Sequence, residues 1–167
     1  MSDKEELIKE KLEFSGLFDF KSFYKYAHSW LDDEGYGVTE KKYAEKLSGN
    51  SRDITVEWSI SKEISDYFKI IMLFEFEVSE LIDVEVEIDK KKKKMNKGKV
   101  TIEIKAALVK DPESKWETSP FLRLMRDFYN KYVIPGRLEA MRDKVIEDVK
   151  ELKEQLKSFL ELTGKRG

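Results

Sequence analysis

The stretch RLEAMRDKVIEDVKELKEQLKSFLEL, residues 137–162, decides the architecture of this chain. Leu138, Met141, Val145, Val149, Leu152, Leu156 and Phe159 recur every three or four residues, and Glu and Lys fill most positions between them. That spacing places the apolar side chains on one stripe of a helix and the charges around the rest. Ile146, Leu160 and Leu162 fall partly off the stripe. At 1.5 Å per residue the helix is about 39 Å long. Just upstream, Ser119-Pro120 supplies a capping hydroxyl and a first-turn proline. Phe121, Leu124, Met125, Phe128 and Tyr132 then line one face, and Ile134-Pro135-Gly136 separates the two helical patterns. The chain is expected to close on a helix pair.

The residues before this pair alternate as strands do. Phe68, Ile70, Met72, Phe74, Phe76 and Val78 share one parity and form the strongest strand. Ile54, Val56, Trp58 and Ile60 alternate with Thr55, Glu57 and Ser59. Val84, Val86 and Ile88 alternate with Glu85 and Glu87, and Val100 to Leu108 repeats the pattern. Val38 to Leu47 is polar on both faces, as suits an edge strand guarded by lysines. Gly49-Asn50-Ser51 reads as a turn, and Asp111-Pro112-Glu113-Ser114 ends the sheet. Ile8, Leu12 and Phe14 suggest one further short strand, broken by Gly16.

Between that strand and the rest lies a first helix. Asp19 is its N-cap. Phe20, Phe23, Tyr24, Ala27, Trp30 and Leu31 form its apolar stripe, and Gly35 its stop. Short strand connections favour antiparallel pairing. The expected fold is a single α+β domain over residues 1–167, an antiparallel sheet of five to six strands packed against a long C-terminal helix pair. The element order β-α-β5-α-α resembles the helix-grip class, in which a curved antiparallel sheet wraps a C-terminal helix.

Composition narrows the chemistry. The chain has 167 residues and 40% charged residues, against about 25% in an average domain. Lys and Arg (32) nearly balance Asp and Glu (34). Such dense, balanced charge suits the surface ion pairs of a thermophile. There is no cysteine, which excludes disulfides, thiolate metal sites and a Cys nucleophile. No run of about 18 apolar residues exists, so no membrane span is expected. A charged N-terminus argues against a signal peptide and for a cytoplasmic protein, or one assembled into a particle built inside the cell.

No catalytic motif stands out. The sequence has no Gly-x-Ser-x-Gly elbow, no phosphate-binding glycine loop and one histidine, His28. His28 and Asp32 make too poor a ligand set for a metal. No enzyme activity, cofactor or metal is expected. Two surfaces remain. Tyr67, Ile71, Leu73, Ala107 and Val109 are apolar on the parity opposite to the main strand stripe, with Tyr43 and Leu47 added from the edge strand. Either a partner covers them or the first helix does. Lys90, Lys91, Lys92, Lys93 and Lys94, with Lys97 and Lys99, concentrate positive charge at a hairpin tip and suit phosphates or an acidic partner.

The expected function is that of a non-enzymatic structural or adaptor subunit of a larger assembly, such as a virion or ribonucleoprotein. It would act through a protein partner or as a homo-oligomer. The alternatives are a module binding an apolar small molecule among Trp58, Phe68, Met72, Phe74 and Phe76, and an RNA-contacting protein using the lysine-rich hairpin.

Overall fold

A computed structural model describes residues 3–64, 68–110, 124 and 134–165. They form an α+β fold: β1 (Asp3–Phe18), α1 (Phe20–Asp33), β2 (Gly37–Ser48), β3 (Ser51–Glu63), β4 (Phe68–Ile88), β5 (Lys91–Lys110) and α2 (Ile134–Lys165). The five strands make one antiparallel sheet in the order β1-β5-β4-β3-β2. Strands β2 to β5 are joined as successive hairpins, and β1 returns to pair with β5 at the far edge.

Local signals explain the first helix. The Asp19 carboxylate accepts from the Ser22 amide at 3.3 Å and fills the N-cap role. At the other end Gly35 takes φ +85. The Gly35 amide donates to Asp32 O and the Tyr36 amide to Leu31 O, so a Schellman motif satisfies the last carbonyls. Phe23, Ala27 and Leu31 are buried, as their spacing requires.

Both helices lie on the same face of the sheet. Phe23 of α1 meets Phe76 edge-on, and Tyr24 meets Trp58. Helix α2 runs along β1: Arg142 bonds Glu5 at 2.8 Å, and Lys153 bonds Glu10 at 3.1 Å. Eleven helical residues and five strand residues each span about 16 Å, so the two ladders stay in step. The helix therefore follows an edge strand rather than crossing the sheet. Phe159 joins the helices, stacked on Tyr26 at 4.8 Å and tilted against Phe23 at 6.2 Å. Val145, Val149, Leu152, Leu156 and Leu160 complete the core, so Leu160 belongs to the stripe rather than off it.

Three expectations need correction. Gly16 does not end the first strand: it continues to Phe18 with Gly16 at φ +146 opposite Gly98. Residues Phe68–Ile88 form one strand rather than two. The interruption is a bulge at Glu80, with φ +54 and its amide capped by Asp53 Oδ1 at 3.0 Å. Ile134-Pro135-Gly136 does not precede the last helix but begins it, since a first-turn proline loses no helical bond. Of the expected C-terminal helix pair, the second member is α2. The stripe Phe121, Met125, Phe128 and Tyr132 lies outside the described residues, with Leu124 alone described.

Gly98 sits where the bulge closes on β5. A Cβ there would meet Ser79 O at 3.1 Å and Leu81 Cα at 3.2 Å, both backbone atoms that cannot rotate away. Gly98→Ala is expected to lower stability by about 1–3 kcal/mol, the usual range for forced overpacking. Urea unfolding against the parent checks it; an unchanged midpoint would show the bulge to be soft.

Candidate interaction surface

With both helices on one face, the alternating residues of β4, β5 and β1 point to a face that no described element covers. Ile71 and Leu73 are half-buried there, while Ala107 and Val109 are buried. Tyr67 lies outside the described residues. Ile71 pairs in register with Ala107, and Leu73 with Lys105. A bulge after Glu6 turns Leu7 out of the β1 ladder. Leu7, Ile71, Leu73 and Ala107, rimmed by Lys4, Glu6, Lys9 and Lys105, line an open cleft of about 500 Å³. Sequence alternation brought together four of its five expected residues on one face. It missed Leu7, because a bulge leaves no mark in the sequence pattern.

Tyr43 and Leu47 do not join them. The register of β2 slips at Lys41, between Glu40 and Lys42. One extra residue moves every later side chain to the other face. Tyr43 therefore faces α1, its ring 6.4 Å from Tyr24. The first helix packs on the core side and so does not cover Ile71 and Leu73.

Charge on this face is ordered. Glu103 pairs in register with Glu75, and Glu75 with Glu57, so three carboxylates stand in one row across three strands. Lys9 and Lys105 both reach Glu103, at 3.5 and 3.3 Å. Its own burial works the other way, yet the hydrogen bond from Lys105 and the charge of Lys9 hold the Glu103 carboxyl below its ordinary range. Glu57 and Glu75, both half-buried, form no ion pair among the described residues.

The lysine cluster is divided by strand geometry. Beyond Leu81 and Asn96, β4 and β5 run on as a two-stranded ribbon. Only Lys90 occupies the turn, at φ +66 beside Asp89 at φ +50, the handedness a two-residue hairpin requires. Lys91 to Lys94 belong to β5 rather than to the hairpin tip. Lys94 lies opposite Glu85 and Lys92 opposite Glu87, so these two face acids. Lys91 and Lys93 lie opposite Ile88 and Val86, and Lys97 opposite Ile82. Lys99 sits farther back, opposite Ser79. The run is thus split between two faces. Ile88, Lys93 and Met95 line a second cleft of about 320 Å³ with Asp19, Ser22, Phe159 and Leu162.

The remaining polar groups are tied into the fold. His28 is exposed and its ring lies edge-on to Trp58 at 5.7 Å. Asp148, 2% exposed, accepts from the Tyr36 hydroxyl at 2.8 Å and from Lys144 at 2.7 Å. Trp58, Phe68, Met72, Phe74 and Phe76 are fully buried, and Trp58 stacks on Phe74 at 5.2 Å. Neither cleft is lined by them. Among the described residues no group of three or more His, Asp or Glu is placed to hold a metal ion. No described helix is long and apolar enough to cross a membrane. No protein-family model matches the chain, and no curated protein matches it in sequence.

Proposed function

We propose that this protein is a non-enzymatic structural or adaptor subunit that works through protein contacts on the sheet face opposite α1 and α2. One observation carries the reading: α1 and α2 share a single face, which leaves Ile71 and Leu73 on the other without a described element over them. Apolar groups in a rimmed, open cleft are a feature of docking surfaces. The antiparallel sheet with α1 and α2 on one side also supports the helix-grip-like reading of the fold.

The absence of cysteine gives a direct test. Ser59 is the register neighbour of Leu73, and Lys150 is exposed on α2. Single variants Ser59→Cys and Lys150→Cys each carry one thiol. In cells of the native source, the thiol at Ser59→Cys is expected to react with maleimide several-fold more slowly than in the dilute purified protein. The thiol at Lys150→Cys is expected to react alike in both. Equal labelling of the Ser59→Cys variant in the two settings would sink the reading.

A further inference from the structure

We infer that the β4–β5 ribbon is a strap that swings as one piece on the bulge at Glu80. Closed, it lies across the ends of α1 and α2; open, it widens the cleft beneath it. The inference concerns the helix ends and does not rest on the protein-contact reading above. Among the described residues, from Val84–Met95 out to Ile88–Lys91, the two strands pair only with each other. That stretch is about 15 Å long. A two-stranded hairpin is marginal in water by itself, so its position depends on what one face packs against.

That packing is thin. Ile88, Lys93 and Met95 line one side of the cleft of about 320 Å³, with Asp19, Ser22, Phe159 and Leu162 on the other. Of these ribbon residues only Met95 is buried, at 2% exposed. Val84, Val86 and Ile88 are half-buried, and Leu162 across the cleft is 59% exposed. Glu85, Glu87, Lys92 and Lys94 are all exposed. Among the described residues no side chain from Val84 to Met95 makes a hydrogen bond or ion pair with either helix.

The root is built differently. The bulge at Glu80 bends β4, and Gly98 closes against it without a side chain. Just beyond, Asn96 makes the ribbon's one polar tie to a helix among the described residues. Its Nδ2 donates to Asp83 Oδ1 at 2.8 Å, and its Oδ1 accepts from the Phe20 amide at 2.9 Å. Arg52 donates to the same Asp83 oxygen at 2.9 Å. The Phe20 amide belongs to the first turn of α1, where no helical carbonyl can serve it. A tied root, an untied tip and one buried side chain make opening far easier than unfolding the sheet.

Oxidation of methionine by hydrogen peroxide tests the inference in the unaltered full chain, which has no cysteine to compete. Met95 and Met72 are alike inaccessible in the closed fold, at 2% and 1% exposed. A rigid ribbon would oxidise the two alike, through unfolding alone. The strap is expected to expose Met95, so that its initial rate of sulfoxide formation exceeds that of Met72 at least about tenfold. Peptide mass spectrometry reads both rates. Asn96→Ala removes the tie and is expected to raise the Met95 rate several-fold further, with Met72 unchanged. In that variant the cross-strand amides between Val84 and Lys94 are expected to keep their protection from hydrogen exchange, because the strands stay paired as the strap swings. Asp83→Ala, at a side chain 72% exposed, loosens the same tie and serves in its place if Asn96→Ala unsettles the whole fold. Equal rates for Met95 and Met72 overturn the inference, as does a Met95 rate that loosening the tie leaves unchanged. Amide protection that falls in step with faster oxidation overturns it too, since the ribbon then frays instead of swinging.

Discussion

Trp58→Ala is expected to lower the unfolding free energy by about 3–5 kcal/mol, the range for emptying a large aromatic site. Trp58 is fully buried in the middle of β3. It stacks on Phe74 at 5.2 Å and meets Phe76 edge-on at 5.5 Å. Tyr24 of α1 lies edge-on at 5.1 Å. Its indole N–H also donates to Glu40 at 3.4 Å, next to the Tyr24 hydroxyl on the same carboxylate oxygen. One side chain thus joins sheet, helix and edge strand. Alanine would open a cavity among rings that cannot collapse into it without moving α1. Against a net stability of 5–15 kcal/mol typical of domains, the loss is severe. Trp58→Phe keeps most of the ring contacts and is expected to lose less than half as much. Denaturant unfolding with an unchanged slope checks both. A Trp58→Ala loss below about 1 kcal/mol would show that the aromatic cluster does not hold α1 to the sheet.

The second large effect lies at Asp148. Its carboxylate accepts from Tyr36 and Lys144, and Tyr36 is itself only 2% exposed. Asp148→Leu leaves a buried hydroxyl without its acceptor, and Tyr36→Phe leaves a buried carboxylate with one donor fewer. Each is expected to cost about 1–3 kcal/mol. The double variant removes both halves of the bond and is expected to cost clearly less than the sum. An additive result would deny the coupling.

The same cluster shapes alkaline behaviour. Burial first, and then the hydrogen bond to Asp148, pushes the Tyr36 phenol far above its ordinary value. Burial and Glu40 push Tyr24 up to about 12. Lys144 is raised chiefly by its bond to Asp148. All three hold their protons in the folded state at pH values where the unfolded chain, with tyrosines near 10, releases them. The stability they contribute is fully present below pH 10 and is lost as pH rises through about 12 and beyond. Absorbance of tyrosinate should therefore rise together with loss of structure. Ionisation of every tyrosine near 10 in the folded protein would contradict this.

Strands were legible where alternation was strict. Val56, Trp58, Phe74 and Phe76 fall on the core face that their parity assigns. Bulges were not legible. Glu80 joins what read as two strands, the slip at Lys41 turns Tyr43 toward α1, and the bulge at Leu7 opens the cleft. Each is a single added residue without a glycine or proline to announce it. The placement of both helices on one face also has no local signature. It follows from which apolar surfaces find one another, so the split between core face and contact face could be posed from sequence but not decided.

Consider finally that Asp3 pairs with Lys110, and the whole of β1 closes against β5. The four hairpin-linked strands can zip in order as they emerge. Their edge is complete only when a segment 78 to 107 residues back swings in beside the last of them. Loop closure of that length is entropically slow, since long-range pairing repays its cost late. Helix α2 leans on β1 and must wait for it. Strand β1 is thus among the last to settle, and until it does the edge of β5 stands open to other strands in the crowded surroundings of synthesis.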